Sequence, residues 1–230
     1  MKMKKEECLK MVRRNGLDLR HIENQDKEIC LEAVKQYGCA LEYVKNQDKD
    51  ICLAAVRKNG CVLYYVENQD KDICLEAVRQ DGNALYYVKE QTRRICLSAV
   101  RQDGNALYYV ENQDKDICLE AVKQKGLALE YVKNQDREIC LEAVKQNGWA
   151  LRYVENSLLT SLNEELDILY LPKTGKHRDL IIKDGLCWIG CQRGITIEEL
   201  VDRIYNEGGG IKENPHRQFY LDFLKENKLI

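Results

Sequence analysis

The residues of this chain best equipped for chemistry lie near its C-terminal end. Cys187 and Cys191, with His177 and His216, match the ligand count of a zinc site. Against that, Cys-x3-Cys on an extended strand holds its thiols on one face about 13 Å apart. One ion could then bridge them only if the chain turned sharply at Gly190. Cys191 and a histidine could also form a thiolate–imidazole nucleophile pair, but no third group stands ready to orient the base. Gly208-Gly-Gly210 follows an expected helix instead of leading from a strand into one, which does not make a phosphate-binding loop. The expectation is a chain without catalytic residues, metal or cofactor. An enzyme with a Cys/His site in the C-terminal module is the weakest of three functional readings.

The remaining cysteines point to architecture. Eleven in 230 residues would suggest disulfides in a secreted chain, but the number is odd and no export signal is visible. Seven of them (Cys8, Cys30, Cys52, Cys74, Cys96, Cys118, Cys140) recur at one constant interval. Stacked helices stand about 8–10 Å apart, whereas a disulfide needs Cα atoms within about 7 Å. These cysteines are expected to be small buried apolar residues in a reducing cytosol.

The cysteine period belongs to a repeat. Residues 24–45 read NQDKEICLEAVKQYGCALEYVK, and variants follow from 46, 68, 90, 112 and 134, with a degenerate copy from about residue 2. A fixed period in the twenties signals a solenoid. Within one copy, Asp26 is the expected N-cap of a helix over 27–37, and Gly38 the expected left-handed stop. Ile29, Cys30, Ala33 and Val34 share one helical face, widened by Leu31. A shorter helix is expected from about Ala40 to Lys45, with Ala40, Leu41 and Val44 inward. Neither helix can bury its apolar face alone, so stacking must supply the missing surface.

The predicted fold is mostly α, an α-solenoid of seven two-helix repeats over 1–155. A capping helix or linker over 156–171 and a small α+β module over 172–230 complete it. Ser161-x-x-Glu164 offers a capping box in the linker. In the module, 179–183 and 186–190 read as strands around the hairpin signal Asp184-Gly185. A helix opens at Thr196-x-x-Glu199, and another follows Asn214-Pro215.

LEAVKQNGWALRYVEN, residues 141–156, with its sibling copies, resembles the repeat family called domain of unknown function 4116, which occurs in bacterial, phage and giant-virus proteins. The resemblance implies a helical repeat array and no particular activity. LCWIGCQRGITIEELVDRIY followed by NPHRQFYLDFL looks like a small hairpin-plus-helix module from the ends of other phage and bacterial repeat proteins, and implies a terminal cap or recognition unit.

Binding information should sit where the copies differ. The outward position of the short helix reads Arg20, Glu42, Tyr64, Tyr86, Tyr108, Glu130, Arg152. Tyrosine offers a large rigid contact with a polar tip, although the row could equally stack on Tyr65, Tyr87 and Tyr109. Asn83 and Asn105 after the glycine, and Asp81 and Asp103 before it, mark the same central copies. Glu23, Lys45, Glu67, Lys89, Glu111, Lys133 and Glu155 alternate in sign, as a solvated salt-bridge ladder would. The fifth copy departs from the pattern with Thr92, Arg94 and Ser98, leaving Arg93, Arg94 and Arg101 as an expected positive spot. One shared partner surface is expected for this spot and the tyrosines.

Charge narrows the partner. The formal net charge is −2 and falls wholly on residues 156–230, leaving the repeats neutral. A neutral body lacks the basic footprint of a nucleic-acid binder, and no apolar run is long enough to span a bilayer. The chain reads as a soluble cytoplasmic interaction protein, without a catalytic role and with no assigned oligomeric state. The sharper version, drawn from the resemblance, is a phage or viral inhibitor of a host defence nuclease in the host cytoplasm. The alternative is a single-stranded RNA binder, with Tyr64, Tyr86 and Tyr108 stacking on bases and Arg79, Arg101 and Lys123 meeting phosphates.

Overall fold

A computed structural model describes residues 3–172, 179–183, 186–189, 194–206 and 217–230. It divides into two compact units, Met1–Asn134 and Gln135–Ile230.

The first unit is built from copies of one pair, a ten-residue α-helix followed by a six-residue 3-10 helix. The α-helices are α1 (Lys5–Arg14), α2 (Lys27–Gln36), α3 (Lys49–Lys58), α4 (Lys71–Gln80), α5 (Arg93–Gln102) and α6 (Lys115–Gln124). The 3-10 helices are Gly16–His21, Gly38–Tyr43, Gly60–Tyr65, Gly82–Tyr87, Gly104–Tyr109 and Gly126–Tyr131. The α-helices begin as the sequence suggests: Asp26, Asp48, Asp70 and Asp114 accept from the third helical N–H at 2.9–3.0 Å, and Thr92 does so at 3.4 Å. Ile29, Cys30, Ala33 and Val34 are buried, as are Ala40, Leu41 and Val44. Each long helix from α2 to α5 lies beside its neighbouring long helices and against the 3-10 helix of its own copy and of the copy before. The result is two layers, with the apolar residues between them. Full burial of one Leu such as Leu41 stabilises the fold by about 1.5–3 kcal/mol.

Two local expectations are corrected. The glycine is not a left-handed stop. The helix ends at Gln36, Tyr37 is extended (φ −146°, ψ 107°) and still donates its N–H to Ala33 O, and Gly38 opens the next helix. The reason for glycine is space. A Cβ on Gly82 would lie 2.7 Å from Ala99 O, and one on Gly104 2.5 Å from Ala121 O, in the following copy. The second helix therefore begins earlier than the expected Ala40, is 3-10 in type, and stops at Tyr43 with Val44 extended. So short a helix gains an extra backbone bond from i→i+3 pairing, and short runs are where that geometry is used.

The second unit contains the seventh copy, α7 (Arg137–Gln146) and the 3-10 helix Gly148–Tyr153, and after it α8 (Asn156–Leu166). Strands β1 (Leu169–Leu171), β2 (Leu180–Lys183), β3 (Leu186–Ile189) and β4 (Ile195–Thr196) form an antiparallel meander in that order, with Lys183 opposite Leu186. Helices α9 (Ile197–Asn206) and α10 (Gln218–Glu226) complete it. Leu180, Ile182, Cys187, Leu200, Ile204 and Leu224 form its core.

The two central strands and both C-terminal helices match expectation, whereas β1 and β4 are additional. The helix predicted to run to residue 171 ends at Leu166, because Asp167 turns left-handed (φ 51°, ψ 49°). Ser161 lies inside that helix and donates to Leu158 O, so its capping box is absent. The box at Thr196 and Glu199 forms reciprocally, at 2.9 and 3.1 Å. The compact units divide at 134/135, and within the second the seventh copy is tied to the elements after it: Arg137 pairs with Glu165, and Arg152 with Asp179. The turn at Asp184-Gly185, the Gly208–Gly210 run and Asn214-Pro215 lie outside the described residues.

Candidate functional site

The outward tyrosines are presented by the 3-10 helices, whose buried Leu and Ala fix the opposite face. Tyr64, Tyr86 and Tyr108 remain 66–67 % exposed. Each also meets two other rings, edge-on or tilted. Tyr64 lies 5.2 Å from Tyr65 and 5.6 Å from Tyr87, Tyr86 lies 5.0 Å from Tyr87 and 5.4 Å from Tyr109, and Tyr108 lies 5.1 Å from Tyr109 and 5.4 Å from Tyr131. The rings thus make one unbroken zigzag from Tyr65 to Tyr131, and such pairs contribute about 0.5–1.5 kcal/mol each beyond their buried area. The rings stack as the ladder weighed from sequence and also stay exposed. Glu42 and Glu130 bound the exposed row at its two ends.

The neighbours of this strip divide. Asn83 is exposed and Asn105 half-buried beside it. Asp81 and Asp103 are caps, accepting from Asn83 N and Asn105 N at 2.9 and 3.0 Å, as Asn59 and Asn147 do in other copies. Arg152 pairs at 2.5 Å with Asp179, the one buried charged residue among those described, and stacks over Trp149. Tyr170 donates to the other oxygen of Asp179, and burial pushes its phenol well above the usual range.

The arginines do not join the tyrosines. Arg93, Arg94 and Arg101 project from α5, in the α-helical layer, and border a groove of about 780 Å³ together with Arg79, Leu75 and Ser98. No tyrosine lines that groove. The positive spot also has different members from those expected. Arg93 pairs with Asp114 and Asp116, and Arg101 with Glu120. Arg94 has no acid partner among the described residues.

The alternating Glu/Lys positions form no ion-pair ladder among the described residues. Lys45, Lys89 and Lys133 donate instead to the backbone carbonyls of Glu23, Glu67 and Glu111, at 2.9–3.1 Å. The salt bridges are elsewhere, from Lys27 to Asp48 and Asp50, Lys49 to Asp70 and Asp72, Arg13 to Glu32 and Arg57 to Glu76.

The linker glutamine is the structural residue of the repeat that sequence reasoning passed over. Gln25 donates to Tyr43 O at 2.9 Å and accepts from Lys45 N at 3.0 Å, and Gln69 does the same with Tyr87 O and Lys89 N. The orphan groups at the end of the 3-10 helix are thereby satisfied by the glutamine that opens the same copy. The thiols of Cys30, Cys74 and Cys140 donate to the glutamine oxygens of their own copies, at 3.3–3.8 Å. Burial pushes the Cys30, Cys52, Cys74, Cys96 and Cys140 thiols up to about 11. The glutamine's presence in every linker from Gln25 to Gln135 was the available signal.

Cys187 is buried in β3, while His177, Cys191 and His216 lie outside the described residues. Among the described residues, no three His, Cys, Asp or Glu groups are placed to hold a metal ion. No helix among them is long and apolar enough to cross a membrane.

Stacked helix pairs with one exposed aromatic seam define a tandem helical-repeat protein. The family model described as domain of unknown function (DUF4116) matches residues 4–47, 26–69, 48–93, 70–113, 92–135 and 114–159, so that each match spans two copies and starts one copy after the last. The chain belongs to that family. Neither a search of curated proteins nor one of solved structures finds a match.

Proposed function

We propose that this chain is a non-enzymatic interaction scaffold that grips a protein partner along the tyrosine strip. The observation that supports it is the exposure of Tyr64, Tyr86 and Tyr108 on a rigid support. Packing alone does not require three aromatic rings held two-thirds in water, since Glu42 and Glu130 fill the same position. Rings already fixed by neighbouring rings lose little side-chain freedom when a partner covers them, which favours binding. Asn83 and Asn105 add hydrogen-bonding capacity at the border. The narrower reading, a phage or viral inhibitor of a host defence protein, rests on the resemblance of the repeats.

A single-stranded RNA partner is less well supported. Its stacking platform and its phosphate row stand in different layers, and Arg101 is neutralised by Glu120. The test is affinity capture from cells that encode the chain, using as baits the wild type and the triple variant Tyr64→Ser, Tyr86→Ser, Tyr108→Ser. A protein retained by the wild type after nuclease treatment, and lost by the triple variant, is the expected result. Retention by both baits removes the strip from the function. Loss on nuclease treatment replaces the protein partner with a nucleic acid.

A further inference from the structure

Between neighbouring long helices of the first unit, two rungs of opposite charge recur. The first runs from Lys27, Lys49 or Arg93 to the capping acid of the next long helix and to the acid in its first turn. The second runs from Arg13, Arg57 or Arg101 to a glutamate midway along that next helix. Across α3 and α4, this places Lys49 and Arg57 against Asp70, Asp72 and Glu76. Across α4 and α5, the same positions hold Lys71 and Arg79 against Thr92, Arg94 and Ser98. Both rungs are missing there, and one is reversed in sign. Lys71 and Arg94 have no acid partner among the described residues, and Arg79 keeps only Glu76 of its own helix, at 3.8 Å.

The groove of about 780 Å³ opens at this interface, with Leu75 and Leu97 in its lining beside the arginines. Arg94 stands in the groove among Arg79, Arg93 and Arg101, which each have an acid partner, and has none of its own among the described residues, so an anion bound there supplies the missing counter-charge. Apolar side chains in the lining suit a ligand that is not charge alone. Within the first unit the loss of both rungs is confined to one interface, since α2 and α3 lose only the second, with Ala54 at the glutamate position, whereas a phosphate backbone would call for cations along several copies.

We propose that the groove between α4 and α5 is a second binding site, which takes a short acidic peptide segment of a protein partner. Glu or Asp side chains meet Arg79 and Arg94 in the groove and Lys71 at the start of α4, and an apolar side chain lies against Leu75 and Leu97. Guanidinium groups favour this use because their planar donors match carboxylates two bonds at a time. The site lies in the α-helical layer and does not depend on the tyrosine strip.

The test exploits the repeat itself. Thr92→Asp, Arg94→Asp and Ser98→Glu together install the residue types found at other interfaces and rebuild both rungs, so this variant should fold at least as well as the wild type. Binding of a fluorescein-labelled peptide of alternating Glu and Leu is read by anisotropy for both proteins at low and physiological salt, with a single-stranded oligonucleotide in parallel. Expected is saturable binding of the peptide to the wild type, weakened about tenfold or more in the repaired variant, while capture through the tyrosine strip is unchanged. Equal binding by the two proteins, or none by the wild type, overturns the proposal. Tighter binding of the oligonucleotide than of the peptide, lost on repair, overturns the peptide as the ligand.

Discussion

At the scale of single residues, the glycine and the glutamine of the repeat make the sharpest contrasts. Gly82→Ala forces a methyl group to 2.7 Å from Ala99 O, and overpacking of this kind costs about 1–3 kcal/mol. Gly148 has nothing within 4 Å of the same built position and needs no left-handed backbone. There, alanine should leave stability unchanged or raise it by about 0.4–1 kcal/mol, through the unfolded chain. Urea denaturation of the two variants side by side checks both signs, which a left-handed stop would have made alike. Gln69→Ala removes the bonds to Tyr87 O and Lys89 N and should cost about 1–3 kcal/mol by the same measurement. The glutamine was visible in every linker but had no assigned role, because its partners lie at the far end of the copy it opens and meet it only when the chain folds back.

The buried thiols give a pH prediction at the same scale. Folded Cys30, Cys52, Cys74, Cys96 and Cys140 hold their protons up to about 11, against an ordinary value of 9.0, because burial disfavours the thiolate. An unfolded chain releases those protons first, so their contribution to stability is complete below pH 9 and is lost as pH rises toward 11. The urea midpoint should fall across that window. The fall should be shallower in the Cys52→Ala, Cys74→Ala double variant, measured against its own value at the neutral end of the range.

At the scale of elements, the helices are fixed at their ends by side chains the sequence displays. The N–H of Ile51 and then Lys27 hold the Asp48 carboxyl below the usual range, and the N–H of Ile117 and then Arg93 do so for Asp114. A carboxyl whose folded pKa is depressed stabilises the fold above its unfolded value of about 3.9, and that stability is lost as pH falls through the lower folded value. Thermal melts should therefore decline below about pH 4. Asp48→Ala should cost about 0.5–2 kcal/mol at neutral pH and flatten that decline. The capping rule found Asp26 and its equivalents and the box at Thr196, but misplaced one at Ser161. The same four-residue pattern occurs inside a helix as readily as at its start, and the preceding Leu158 and Leu159 already continue α8.

At the scale of the whole molecule, the period is the unit of architecture. Deleting residues 24–45 removes one full copy and joins Glu23 to Asn46 in register, leaving the tyrosine strip and the α4–α5 groove intact. The shortened chain should fold, with a smaller urea m-value because it exposes less surface on unfolding. Deleting only 24–34 keeps half a copy, leaves an apolar face without its neighbour, and should abolish cooperative unfolding.

The sequence by itself determined the repeat, its length, the two helices of each copy, the face each buries, and membership of its family. All of these are written in the constant period of the copies and in the spacing of apolar residues within one helix. It also marked the tyrosines and the aberrant fifth copy, since a repeat exposes its own exceptions. Tertiary structure decided what those exceptions meet. A pairing from one copy to the next depends on how the two stack, so only the fold showed Lys45 on a carbonyl, Arg93 neutralised by Asp114 and Asp116, and Arg94 without an acid across from it. For the same reason only the fold separated the tyrosines from the arginines. Both lie in the same copies of the sequence, but one set stands on the 3-10 layer and the other on the α-helical layer, with the apolar core between them.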